Sequence, residues 1–391
     1  MIGPRSVVPA GDLTRLRQIN ERAVLAAIRV GGELRLAELV SLTGLTRASL
    51  TEVIRGLRDK GWVVEQDAMT AGRGRPAHRY RFHAEAGHVV GLDIGAYAVK
   101  AAVGDLAGTV LGEARRQTRP ADSRAKRLDS TVDAVGDCLR AAELPANAVW
   151  MTTAGTTGRI DRNGRILLSA AIPGWAGLDL AGRLAELLGG PVLVENDVRL
   201  TTLAEQRLGM ARGVRDLVVL QAGRRVGLGL VLDGAVRHGH RGAAADVSSF
   251  SALSCDHAVD FLDLCPAVPA TGGTGDRIQD VLTAAAEGQP AAVNAVGRYV
   301  RAVSQVAAAA VSLIDPEMLL ITGTLAPYAD LVRPILLDEL HLRCITVPRV
   351  EVSTLGPDAV HQGAVQYALD HLADLLLGDP DSALPALTRP Q

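Results

Sequence analysis

Gly72-Arg73-Gly74-Arg75-Pro76, then Tyr80-Arg81-Phe82, then His88-Val89-Val90-Gly91-Leu92-Asp93-Ile94-Gly95 is the stretch in which the chain changes character. The first segment is basic and glycine-rich, with no aliphatic side chain to bury, and reads as an exposed loop. The last is a nearly unbroken apolar run ending in Asp and Gly, the pattern of a strand buried on both faces and closed by a tight turn. A small basic module therefore ends near residue 83 and an α/β body begins at 84.

Upstream of this junction, Leu16, Ile19, Ala23, Val24, Ala27 and Ile28 recur at helical spacing until Gly31-Gly32 stops them. Leu36 to Leu42 reads as a short helix and Thr43-Gly44-Leu45 as a tight turn. Thr46 then caps a third helix running to about Lys60. On that helix Leu50, Val53, Ile54 and Leu57 form one apolar stripe, which leaves Arg47, Ser49, Thr51, Glu52 and Arg55 polar. Gly61 to Glu65 and Tyr80 to Phe82 read as the strands of a hairpin with the Gly-Arg repeat between them. Helix, turn, capped helix and basic wing make a winged helix-turn-helix over residues 1–83. The start of its third helix suits the major groove, where Arg47 can pair with guanine and Ser49 or Thr51 can meet a base or phosphate; Arg55 lies on the same polar face. Arg73 and Arg75 suit phosphates or a narrow minor groove. A winged helix that binds protein is the alternative.

Charge supports the division. Residues 1–82 carry 14 Arg and Lys against 8 Asp and Glu, while the rest carries 27 against 35, so a net charge of −2 hides a basic head on an acidic body. Such asymmetry points to a polyanion for the head. No run of 18 apolar residues and no signal-peptide core is present, so a cytoplasmic protein without a membrane partner is expected. Four widely spaced cysteines, Cys138, Cys255, Cys265 and Cys344, form no CxxC pair and imply neither a disulfide framework nor a metal.

Downstream, apolar runs at Val149–Thr153, 191–194, Asp216–Leu220, Gly229–Leu232 and Met318–Thr322 alternate with helical segments, among them Val300–Ile314, as in an α/β protein. The head, the Val90–Gly95 strand, Val194-Glu195-Asn196-Asp197 and the hairpin ending in Asp233-Gly234 together resemble the ROK family of repressors, open reading frames and kinases, its winged-helix repressors above all. The resemblance spans residues 13–375. It implies a two-lobed body of the actin-like ATPase, sugar-kinase type. The first lobe would be 84–200, completed by a C-terminal helix at 363–377; the second, 201–362, would dimerise; and 378–391 would be a flexible tail.

The resemblance also assigns roles. Asp197 falls at the position of the kinases' general base, with Asn196 beside it as a hydroxyl binder; an Asp capping the following helix is the bland alternative. Gly155 and Asp246 complete the expected effector set. The phosphate hairpins depart from the family pattern, reading Asp93-Ile94-Gly95-Ala96-Tyr97 and Gly223-Arg224-Arg225-Val226-Gly227, where Arg replaces glycine at the backbone's approach to phosphate. The usual Glu-x-Gly-His has become Asp246-Val247-Ser248-Ser249, and the zinc-loop cysteines reduce to Cys255 and Cys265, too few for a closed site. The expectation is a DNA-binding regulator with a non-catalytic body, no cofactor, a sugar-like effector and a homodimeric assembly. An active sugar kinase and a ligand-blind regulator are the alternatives.

Overall fold

The computed structural model describes residues 13–66, 78–169, 171–247, 257–268, 277–379 and 382–389. In the head, helices Leu13–Gly31, Leu36–Thr43 and Arg47–Asp59 follow one another as the periodicity requires. The second helix ends on Gly44, whose φ of +70° closes the turn through an N–H bond to Val40 O. Thr46 begins the third, its hydroxyl accepting the Ser49 N–H at 3.2 Å. Strands Val63–Gln66 and Arg79–Phe82 pair antiparallel, and Leu34–Arg35, not anticipated from the sequence, adds a third strand on the outer edge of the latter.

The body contains two five-stranded sheets of the same design. The first has the order Val192–Asn196, Val149–Thr156, His88–Ile94, Ala98–Asp105, Val110–Gln117, the second Ala235–Val236, Val226–Leu232, Leu217–Ala222, Met318–Thr322, Arg349–Val352. In each, a three-strand antiparallel meander is extended by two parallel strands. The outer strands Val110–Gln117 and Arg349–Val352 escape a reading by apolar runs because they are edge strands, mostly exposed on the former. The helices Asp197–Arg207 and Ala359–Leu377 cross between the sheets, so closely that a Cβ at Gly363 would lie 2.0 Å from Leu200 O. The long helix Pro290–Ile314 anchors the core of the second lobe, with Tyr299, Val303, Val306 and Ala307 buried.

Head and body share an apolar core. Val24, Ile28, Leu50, Leu57 and Trp62 of the head join Trp150 and Met151 of the first sheet and Val365, Ala368 and Leu372 of the C-terminal helix. The segment after Leu377, expected as a flexible tail, is docked into this junction where it is described. Leu384 and Leu387 are 2% and 7% exposed within the same core. Trp62 Nε1 donates to Pro385 O at 2.7 Å, Leu387 N–H to Lys60 O at 2.8 Å, and Arg22 to Leu377 O at 2.7 Å and Ser382 O at 3.1 Å. Pro385, one of the prolines that make this segment read as a frayed end, instead offers its carbonyl to the Trp62 indole.

Candidate functional site

Two surfaces stand out, the exposed face of the third head helix and the cleft between the sheets. On the helix, Leu50, Val53, Ile54 and Leu57 are buried while Arg47, Ser49, Thr51, Glu52 and Arg55 all face solvent. The hydroxyls are partly engaged locally. Ser49 Oγ lies 2.9 Å from Thr46 Oγ1, and Thr51 donates to Arg47 O at 2.8 Å, leaving the Thr51 oxygen to accept. Arg58, one turn on, is tied to Glu65 of the hairpin. Arg73 and Arg75 fall in 67–77, outside the described residues.

The cleft cavity holds about 290 Å3. One wall is the turn Asp93–Tyr97 with Pro120, Thr157 and Ala171; the other is Gln221–Arg225 with Gly323 and Thr324; Asp197 stands at the junction. The Asp93 turn is held from behind by Arg127, a fully buried residue on helix Arg124–Ala141, whose guanidinium donates to Ala96 O at 3.2 Å, Thr118 Oγ1 at 2.9 Å and Arg119 O at 2.7 Å. Sequence reasoning missed Arg127 because a lone Arg in a helix gives no sign of facing inward.

The structure divides the Asn196–Asp197 pair. Asn196 caps helix Asp197–Arg207, its Oδ1 accepting from Val198 N–H at 3.0 Å and Arg199 N–H at 3.3 Å while its Nδ2 donates to Gly158 O at 3.0 Å. The alternative of a capping aspartate holds only in part: Asn196 is the main cap and Asp197 Oδ1 shares the Val198 N–H at 2.9 Å, but Asn196 is not among the cavity's lining residues, whereas Asp197 is. Gly155 is also absent from that lining. It sits in strand Val149–Thr156 where a Cβ would come within 2.6 Å of Val360 Cγ1 and 2.7 Å of Leu200 Cδ1, so its described role is close packing of the sheet on two helices. Asp246 is exposed and does not line the cavity. The loop before it is pinned by Arg199, which donates to Gly242 O at 3.0 Å, and by Glu195, whose carboxylate lies 3.0 Å from His238 Nε2. Burial alone would raise the Glu195 pKa, but the His238 and Arg199 contacts hold it below its usual value. Ser249 and Cys255 fall outside the described residues. Among the described residues no group of three His, Cys, Asp or Glu is placed to hold a metal, and no helix is long and apolar enough to cross a membrane.

Electrostatics set the two cleft carboxyls apart from ordinary ones. Both keep some solvent access but are ringed by the two lobes, and desolvation raises Asp93 to about 7 against the pull of Lys100, and Asp197 to about 6 against its hydrogen bond from Val198 N–H. Lys100 is itself buried and paired with Asp358 at 3.2 Å. Below pH 4 the Asp93 carboxyl is protonated in both folded and unfolded chains. Between about 4 and 7 only the unfolded chain releases the proton, so this residue's contribution to stability falls as pH rises, by about 1.4 kcal/mol per unit at most, and is level above 7. Asp93→Asn removes that loss. The variant's melting temperature relative to the parent is expected to increase from pH 5 to pH 8; a difference that stays constant over this range would disprove the desolvation argument.

Comparison with known proteins places these features. Residues 89–248 match the ROK family. The xylose repressor of Caldicellulosiruptor bescii is 23% identical over 237 residues, 61% of this chain and 59% of that protein. The chain thus spans about three fifths of the length of that relative. The DNA-binding transcriptional repressor Mlc of Escherichia coli is 22% identical over 393 residues, covering 92% of this chain and 94% of that protein, head included. The crystal structure of a ROK family transcriptional regulator, a homologue of Mlc, superposes with a TM-score of 0.66 at 23% identity, over 91% of this chain and 97% of that one. ROK glucokinases are among the other relatives and share the two-lobed fold. A ROK match over residues 89–248 of the body, a similarity to the Mlc repressor that continues through the head, and a fold shared with ROK structures make this chain similar to the ROK family.

Proposed function

We propose that the chain is a sequence-specific DNA-binding transcriptional repressor whose kinase-like body does not catalyse phosphoryl transfer but holds a sugar-like effector. The observation that carries the reading is the third head helix, which presents Arg47, Ser49, Thr51 and Arg55 to solvent on one face while its other face is locked in the head core. Guanidinium and hydroxyl groups at the start of such a helix are what base edges and flanking phosphates require. A homodimer joined through the second lobe would present two heads to a pair of half-sites. An effector in the cleft acts by favouring one arrangement of the lobes, and the core shared by head and C-terminal helix carries that arrangement to the DNA. The test is genome-wide mapping of binding sites with purified protein, followed by gel shift on the recovered fragments. Discrete protected sites support the reading, and binding that is uniform across sequences refutes it.

One observation favours a second reading, an active sugar kinase. Asp197 lines the cleft with its pKa raised to about 6, as befits a general base. Against it stand Arg224 and Arg225, which occupy the turn where a phosphate chain would need bare backbone. In an ATP-coupled assay over a panel of hexoses no turnover is expected; turnover that disappears in Asp197→Asn would establish the kinase.

A further inference from the structure

We propose that a second cavity, where the C-terminal helix that supports the head meets the edge of the second lobe, binds an aliphatic di- or polyamine. The cavity measures about 320 Å3 and shares no lining residue with the cleft, so it can be filled whatever the cleft holds. Its walls are helix Asp197–Arg207, helix Ala359–Leu377 and the edge of the second sheet at Ala235–Val236, with His238 just beyond.

The polar groups on these walls divide by type. The strong donors are spent on one another's neighbours: Arg199 on Glu195 and on Gly242 O at 3.0 Å, Arg207 on Asp370 at 2.9 Å, and Gln206 Nε2 on Gly234 O at 2.6 Å. The acceptors are not. Among the described residues the Asp374 carboxylate and the Tyr367 hydroxyl have no side-chain hydrogen-bond or ion-pair partner, and Asp370 has only Arg207. Before histidines are counted, Glu195, Asp370 and Asp374 set three negative charges against the two positive ones of Arg199 and Arg207. The neighbours register this excess. Desolvation and then Glu195 and Asp370 push the Tyr367 phenol up to about 12, against the pull of Arg199. Burial raises the Asp370 carboxyl, and Asp374, one helical turn on, adds to the rise while Arg207 and Arg29 of the head oppose it. Spent donors beside mutually repelling acceptors are complemented by a cation that brings several N–H groups of its own.

Shape narrows the class. Tyr367 and Asp374 lie two turns apart on their helix, roughly 10 Å, so acceptors are spread along the cavity rather than gathered at a point. On the facing helix Leu200 and Leu203, 0% and 7% exposed, lie between Glu195 and Arg207. Methylenes suit that apolar floor, and ammonium groups suit the carboxylates and the face of the Tyr367 ring. A metal ion lacks its ligands, since among the described residues no three His, Cys, Asp or Glu are placed to hold one. A neutral sugar would leave the excess charge unpaired. The helix that carries Tyr367, Asp370 and Asp374 also carries Val365, Ala368 and Leu372 into the head core, so an amine bridging it to Ala235–Val236 fastens the second lobe to the support of the head.

The experiment is calorimetric titration of the full chain, without DNA and at physiological salt, with 1,4-diaminobutane, spermidine, butylamine, 1,4-butanediol and magnesium chloride. Saturable binding is expected for diaminobutane or spermidine, weaker binding for butylamine, none for butanediol, and no displacement of the amine by equimolar magnesium. Asp370→Asn should weaken binding about 10-fold or more, as loss of a hydrogen bond to a charged group predicts. Asp374→Asn, which neutralises an exposed carboxylate, should weaken it about 2- to 5-fold, and Asp374→Lys further, while Asp133→Asn on helix Arg124–Ala141 should not change it. Bound amine should also slow amide exchange at Ala235–Val236. Should Asp370→Asn be unfolded by melting curve, the Asp374 variants carry the comparison, because that side chain has no partner to lose. The site is refuted if neither diaminobutane nor spermidine binds, if butylamine, butanediol or magnesium binds as well, if the Asp374 variants leave the affinity unchanged, or if Asp133→Asn lowers it equally. With no DNA or sugar present, each of these outcomes is separate from the operator and effector readings.

Discussion

Deleting residues 379–391 is expected to loosen the winged helix from the body. The deletion removes Leu384 and Leu387 from the head core, and burial of two leucines contributes about 3–6 kcal/mol. It also leaves the Trp62 indole N–H and the Lys60 carbonyl without their partners, at about 1–3 kcal/mol for each buried group left unpaired. Against a total domain stability of about 5–15 kcal/mol this is a large fraction. The head should then melt before the body, giving two calorimetric transitions, and amides of helix Leu13–Gly31 should lose hydrogen-exchange protection while those of Pro290–Ile314 keep theirs. Leu384→Ala with Leu387→Ala should reproduce the effect at full length, by about 2–5 kcal/mol for each residue. An unchanged single transition in both variants would mean that the segment does not support the head.

Arg47→Ala is the second large effect. Arg47 is exposed at the first position of its helix and contributes nothing to the core, so the variant should fold as the parent does. If the guanidinium reads a guanine, its loss costs about 1–3 kcal/mol, or roughly 5- to 150-fold in operator affinity, and relaxes preference at a single base pair. A residue that meets only phosphate would instead weaken all sequences alike and lower the salt dependence. Gel-shift titration against the mapped operator and its single-base variants separates these outcomes. No change on any sequence would remove Arg47 from the interface and cast doubt on the orientation of the helix.

Much of the head was legible residue by residue. The stripe Leu50, Val53, Ile54, Leu57 specifies which face is buried, Gly44 the turn and Thr46 the cap, because each signal lies within one helical turn of its effect. The same holds for the strand ending at Asp93-Ile94-Gly95 in the body. The duplicated sheet design was not legible, since the two five-stranded sheets share an order of strands without a repeated sequence pattern.

What the sequence by itself determined, then, was the set of elements and the charge division: a basic helix-turn-helix with a wing, followed by an acidic α/β body containing two carboxyl-bearing strand ends. Only the tertiary structure decided which polar groups face the cleft. Asn196 and Asp197 are neighbours of nearly equal promise in sequence, but the amide caps helix Asp197–Arg207 through two N–H groups, while the carboxyl shares only the Val198 N–H and lines the cavity. Gly155 is consumed by packing against Val360 and Leu200, and the C-terminal segment is held by Arg22, Lys60 and Trp62, more than 300 residues away. Caps and helical stripes are interactions between residues a few positions apart, so the order of residues encodes them directly. A cleft wall or a docked strap is made by groups that meet only after the sheets have packed, and no local pattern records which partners those will be.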